Sequence, residues 1–144
     1  MRDYTPNIPE IVEDVRQKFE RYETALIETD VDILDDTFWR SPFTVRLAIG
    51  KHDGKHGGEH GYGFDAIHAH RVTRKPGPGT KEKRLRLEIL TIGEDIATVN
   101  LVYKVRGQDM IGRQSQSWIK FPDVGWKVIS AHVSTVAADS IRAS

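Results

Sequence analysis

Apolar residues recur every three or four positions near the start of the chain. Ile8, Ile11, Val12, Val15, Phe19, Tyr22, Leu26 and Ile27 share one side of a helical wheel, the pattern of an amphipathic helix that lays one stripe on a core. Asn7, with Glu10 three residues on, has the form of a capping box, and Pro9 suits a first turn. The spacing predicts a helix from there to about Thr29. Asp30 can cap a second, short helix through Ile33 and Leu34 to about Trp39. Ser41-Pro42 ends it, because proline disfavours helical geometry in the residue before it.

From Phe43 the period changes to two. Phe43, Val45, Leu47 and Ile49 point one way and Thr44, Arg46 and Ala48 the other. Gly50–Gly63, rich in glycine and histidine, reads as a mobile loop. Phe64–Arg74 reads as a third helix, closed by Lys75-Pro76-Gly77-Pro78-Gly79. Four alternating segments follow: Arg84–Ile92, Ile96–Arg106, Met110–Phe121 and Trp126–Val136. Their short connections favour antiparallel neighbours. Helices followed by a strand meander is the order of an α+β fold, here expected as one domain over 1–144 with its core at about 8–136.

Composition narrows the function classes. The 144 residues carry 21 Lys and Arg against 21 Asp and Glu, a formal net charge of zero, which speaks against a general nucleic-acid or membrane-surface role. Acidic residues crowd the first 36 positions and basic ones run from Arg71 to Arg86, read as solvated faces of different elements. With no cysteine, disulfides, thiol nucleophiles and thiolate metal sites are excluded. The N-terminus lacks a signal-peptide core, and no apolar run approaches the roughly 20 residues that span a bilayer. A cytoplasmic protein is expected.

Several residues could carry chemistry. Tyr22 sits on the apolar stripe of the first helix, either as a core phenol with one satisfied hydroxyl or as a hydrogen-bond donor and proton shuttle in a pocket. Arg46 alternates away from an apolar face, so it is either exposed or, if the sheet curls, a guanidinium fork for a carboxylate. The strand Gly112–Trp118 is polar on both sides, with Gln114, Gln116 and Trp118 on one face and Arg113, Ser115 and Ser117 on the other. Two glutamines beside a tryptophan fit a pocket wall, an outer face or an oligomer contact. His132 on the last strand is a base candidate or a structural histidine. His52, His56 and His60 stand at four-residue intervals, but such spacing gathers ligands only on a helix, which Gly54, Gly57 and Gly58 oppose; no metal site is expected.

Phe19-Glu20-Arg21-Tyr22-Glu23, Phe38-Trp39, Thr44-Val45-Arg46, Tyr62–Ile67, Gly112–Trp118 and Ala131-His132-Val133-Ser134 occur in this order. Together they resemble the AtzH-like family, with its HpxZ-like relatives, over about residues 11–136. The resemblance implies a cone-shaped α+β barrel of the SnoaL-like and nuclear-transport-factor-like kind, a curved antiparallel sheet wrapped around N-terminal helices, commonly dimeric. It implies bacterial catabolism of cyanuric acid or ureides and a cofactor-independent amidohydrolase acting on a small carboxylated urea. It places Tyr22 and Arg46 in the pocket as catalytic residues, and the strand pattern adds Gln114, Gln116, Trp118 and His132 as substrate-binding candidates. Partners would be a small anionic ureido substrate, a second copy and a neighbouring amidase. The alternative is a non-catalytic ligand-binding or accessory subunit of such an amidase. The stretch Lys51–Gly61 is longer and richer in histidine than the family's usual link.

Overall fold

The computed structural model describes residues 2–52, 55–74, 83–105 and 107–142. Helix α1 spans Pro9–Glu28, with proline in its first turn, and stops at Thr29, whose backbone turns left-handed at φ 55°. Helix α2, Val31–Thr37, begins where Asp30 accepts a hydrogen bond from the Ile33 amide at 3.2 Å, the cap expected there. Strands β1 (Val45–His52) and β2 (Lys55–Tyr62) lead to helix α3 (Phe64–Arg71). Strands β3 (Arg84–Ile92), β4 (Ile96–Lys104), β5 (Met110–Phe121) and β6 (Gly125–Ala137) complete the chain, followed by a 3-10 turn at Ala138–Ser140.

The six strands form one sheet in the order β2-β1-β6-β5-β4-β3. The meander β3–β6 is antiparallel as expected, but β1 joins β6 in parallel, with Arg46 opposite Ala131 and Leu47 opposite His132. The sheet is therefore mixed and open rather than wholly antiparallel. Its concave face wraps the helices, and the core lies between them: Val15, Phe19 and Tyr22 from α1, Leu34 from α2, Ile67 from α3, and Val99, Leu101, Trp118 and Val128 from the sheet. No helix among the described residues is long and apolar enough to cross a membrane.

Three local expectations need correction. Asn7 does not cap α1: the N-cap is Ile8, with no side-chain cap bond. Asn7 adopts φ 53° instead, and its amide and side-chain oxygen pair with Thr91 of β3 at 2.9 and 3.0 Å, tying the N-terminal segment to the sheet. Asparagine tolerates that backbone better than most residues do. Gly50–Gly63 is not a loop: Lys55–Tyr62 pairs along β1 from His52↔Lys55 to Val45↔Tyr62. Ladder hydrogen bonds override the weak strand propensity of glycine, and at Gly61 the space is tight, since a Cβ there would stand 3.0 Å from Ile67. The third helix ends at Arg71 rather than Arg74, while the segment Lys75–Gly79 and the end of the predicted strand at Arg106 lie outside the described residues.

Candidate functional site

The inner face of the sheet carries buried polar side chains among its apolar core residues. On β5, Gln114, Gln116 and Trp118 point inward and are buried, whereas Arg113 and Ser115 point outward. Gln116 is 2% exposed, and its side-chain oxygen accepts the Trp118 indole N–H at 3.1 Å. Its amide nitrogen is buried with no hydrogen-bond partner among the described residues, as is Nη2 of Arg71. Buried donors ordinarily have partners, so both stand out in this interior.

Arg46 belongs to that interior. Its side chain is 17% exposed, while Ile49, on the opposite face of β1, is 54% exposed. The apolar side of β1 thus faces outward and the arginine inward, flanked by buried Ala131 on β6 and by Gly61 on β2. Tyr22 is buried on α1, its ring tilted against Phe38 at 5.9 Å. His132 is not part of this set. It pairs with Leu47 and Ser115 on the outer face of the sheet and is exposed, so the sheet itself separates it from Arg46 and the two glutamines.

Sequence reasoning missed several groups. Glu23 is 0% exposed, although an acidic side chain is almost never fully buried unless paired. It lies four residues after Phe19 and three before Leu26, so helical spacing puts it on the buried stripe. Arg71 lies within α3, where Nη1 donates to the Leu34 carbonyl at 2.8 Å and to Asp35 at 3.2 Å, and the guanidinium covers the Phe38 ring at 4.1 Å. Burial lowers its pKa, opposed by the Tyr22 phenol and the Asp35 carboxylate. Asp35 also meets His68 Nδ1 at 2.6 Å, so one carboxylate locks α3 onto α2. Tyr103 faces inward from β4 with its ring over Gly112, where a Cβ would stand only 2.1 Å away. Burial raises its phenol pKa, and the Glu23 charge adds to that. The glycine that opens the polar β5 motif is there to let this ring lie flat.

A cavity of about 270 Å³ opens between α3 and the β1–β2 hairpin, lined by Arg46, Glu59, His60, Gly61, Ile67 and His70. Of the site residues read from the sequence, Arg46 alone borders it; Tyr22, Gln114, Gln116 and Trp118 are buried in the core. The residues present supply a carboxylate fork (Arg46), phenolic donors (Tyr22, Tyr103), amides and acidic groups.

The AtzH-like family profile matches residues 5–139. A cystatin-like fold protein from Burkholderia xenovorans is 36% identical, covering 93% of this chain and 98% of its own, with a TM-score of 0.79. A protein of unknown function of the DUF3225 family from Pectobacterium atrosepticum is 34% identical over 91% of this chain and 94% of its own, with a TM-score of 0.72. An NTF-2-like protein of unknown function from Silicibacter pomeroyi shares the fold at 16% identity, covering 88% of this chain and 97% of its own, with a TM-score of 0.59. No curated protein matches the chain. The cystatin-like, NTF-2-like α+β cone is thus the architecture of this protein.

Proposed function

The chain belongs to the AtzH-like family, and on that footing we propose that it is a cofactor-independent amidohydrolase cleaving a C–N bond of a small carboxylated urea. The observation that carries this reading is Arg46, a guanidinium turned inward from a strand whose apolar side faces out, on the wall of a cavity of about 270 Å³. A forked cation in a shielded cavity binds a carboxylate bidentately and orients the rest of the molecule. In this reading the ligand anchored on Arg46 extends from the cavity into the buried interior, where Tyr22 donates a hydrogen bond to the urea carbonyl or relays a proton and Gln114, Gln116 and Trp118 supply the polar groups. Water adds to the carbonyl carbon, the C–N bond breaks, and the leaving nitrogen takes up the proton. An N-carboxylate left on that nitrogen is a carbamate, which on protonation loses carbon dioxide. Such a reaction belongs to the breakdown of cyanuric acid or ureides in a bacterial cytoplasm.

The outer face of β1 offers Val45, Leu47 and Ile49 beside the uncharged Ser130 and Ser134 of β6, a surface that suits a second copy of the chain. A second reading, a ligand-binding or accessory subunit for a neighbouring amidase, is favoured by the absence of a nucleophile–base pair among the described residues. An ammonia-release screen over carboxylated ureas and biurets tests both. Turnover by the purified chain, abolished in Arg46→Ala and Tyr22→Phe with the fold retained, is expected. Normal turnover in both variants overturns the assignment of these residues, and stimulation of an amidase without intrinsic turnover selects the second reading.

A further inference from the structure

Two groups in the cavity have no part in that reaction: the Glu59 carboxylate and the His70 imidazole. One oxygen of Glu59 accepts from Arg46 Nη1 at 3.3 Å and lies 3.1 Å from His70 Nε2, bridging the two. The placement follows from register. Glu59 pairs with Ala48, two residues along β1 from Arg46 and on the same inner face, while His70 comes from α3 three residues after the buried Ile67. The three side chains differ in how firmly they are held: Arg46 is 17% exposed, His70 39% and Glu59 52%. A single 3.3 Å contact is also longer than the roughly 2.7–2.9 Å of a strong charged hydrogen bond. Half-exposed pairs of this kind contribute little, because water screens them. Glu59 therefore occupies, loosely, the position a ligand carboxylate would fill with two bonds.

We propose that Glu59 is an internal stand-in for the ligand's carboxylate: an incoming carboxylate takes Arg46, displaces Glu59, and His70 takes up a proton in the exchange. This rests on Arg46 being the carboxylate anchor. The charges around His70 give the direction. Facing it are Glu59 from β2, Arg46 from β1, and Arg71 and Arg74 from its own helix and the turn after it. Burial holds the His70 pKa below its ordinary value; Glu59 pulls it up, while Arg46, Arg74 and Arg71 push it down. A second negative charge on Arg46 cancels that arginine's push, while Glu59, freed from Arg46, stays beside the imidazole. The change favours imidazolium, so the liganded protein holds more protons than the empty one. Linkage then makes affinity rise as pH falls through the liganded-state pKa, by at most about tenfold per pH unit, and level off below the empty-state pKa.

Oxamate is a suitable probe, because it pairs one carboxylate with one amide and stays ionised across the titration range of histidine; its ethyl ester is the neutral control. The full chain is titrated calorimetrically in two buffers of different ionisation enthalpy, from about pH 5.5 to about pH 8.5. Wild type is expected to take up a fraction of a proton per oxamate and to ignore the ester. Glu59→Gln, with its competitor for Arg46 gone, should bind oxamate about fivefold more tightly or better, a modest electrostatic gain. His70→Gln should still bind but with no proton uptake and a flat pH profile, and Arg46→Ala should not bind. Unchanged or weaker binding by Glu59→Gln, proton uptake that survives in His70→Gln, no uptake by wild type, or no binding by either wild type or Glu59→Gln overturns the proposal. If the binding pattern holds while no carboxylated urea is turned over, the hydrolase reading fails and this one stands.

Discussion

The two faces of the sheet are built from the same strands and obey opposite rules. Outside, β1 presents Val45, Leu47 and Ile49, while β5 presents Arg113, Ser115 and Ser117, an ordinary mixed surface. Inside, where helices seal the sheet, lie Arg46, Gln114, Gln116 and Tyr103, with Glu23, Asp35 and Arg71 contributed from the helices. A cone that only needed stability would place the apolar side of β1 inward. Burial of a polar group costs free energy unless it is hydrogen-bonded, and a charge must also be paired. The interior offsets these costs by pairing, with Asp35 on Arg71, Glu59 on Arg46 and Gln116 on the Trp118 indole N–H, whereas the outer face carries no such commitment.

That contrast can be broken by substitutions chosen on each face. The largest effect is expected from Asp35→Ala, which strands Arg71 in the interior and releases α3 from α2; removing one partner of a buried pair costs about 3–5 kcal/mol. Urea unfolding measures it, and a cost below about 1 kcal/mol, the range of exposed pairs, would mean the network is not holding the helices. Gln116→Ala comes next, because it leaves the Trp118 indole N–H unpaired in the core, a penalty of about 1–3 kcal/mol. Its outer-face neighbour Ser115 donates to Asn100 at 2.6 Å on the exposed side, and Ser115→Ala should stay within about 0.5 kcal/mol. Equal losses for the two would erase the distinction between the faces. The smallest effect is expected for His132→Ala, which should leave stability, oxamate binding and any turnover unchanged. Lost turnover in that variant with binding intact would bring the outer face into the chemistry, across the thickness of one sheet.

Much of the architecture is legible along the chain. The stripe from Ile11 to Leu26 and the alternation of β3 to β6 are local patterns enforced by burial of one face, and short connections leave the meander little choice of partner. The hairpin strand β2 was not legible, because its glycines and histidines have no strand signature; pairing with β1 and the close approach of Ile67 to Gly61 explain them only once α3 is in place. Site residues divide in the same way. Tyr22 and Glu23 share the buried side of α1 by helical spacing alone, and Tyr103 continues the inner row Ala97, Val99 and Leu101.

What the chain determines by itself is periodicity: which residues share a face, where helices start and stop, and that β1 has an apolar side with Arg46 opposite it. Periodicity carries no sign, so it does not say which side is the inside. Tertiary structure decided that, through the parallel docking of β1 on β6, which sets Arg46 beside Ala131 on the concave face and sends Leu47 and His132 to the other. The reversal is tolerable because Arg46 finds Glu59 across the hairpin and keeps access to the cavity mouth, so its charge is neither unpaired nor fully dehydrated.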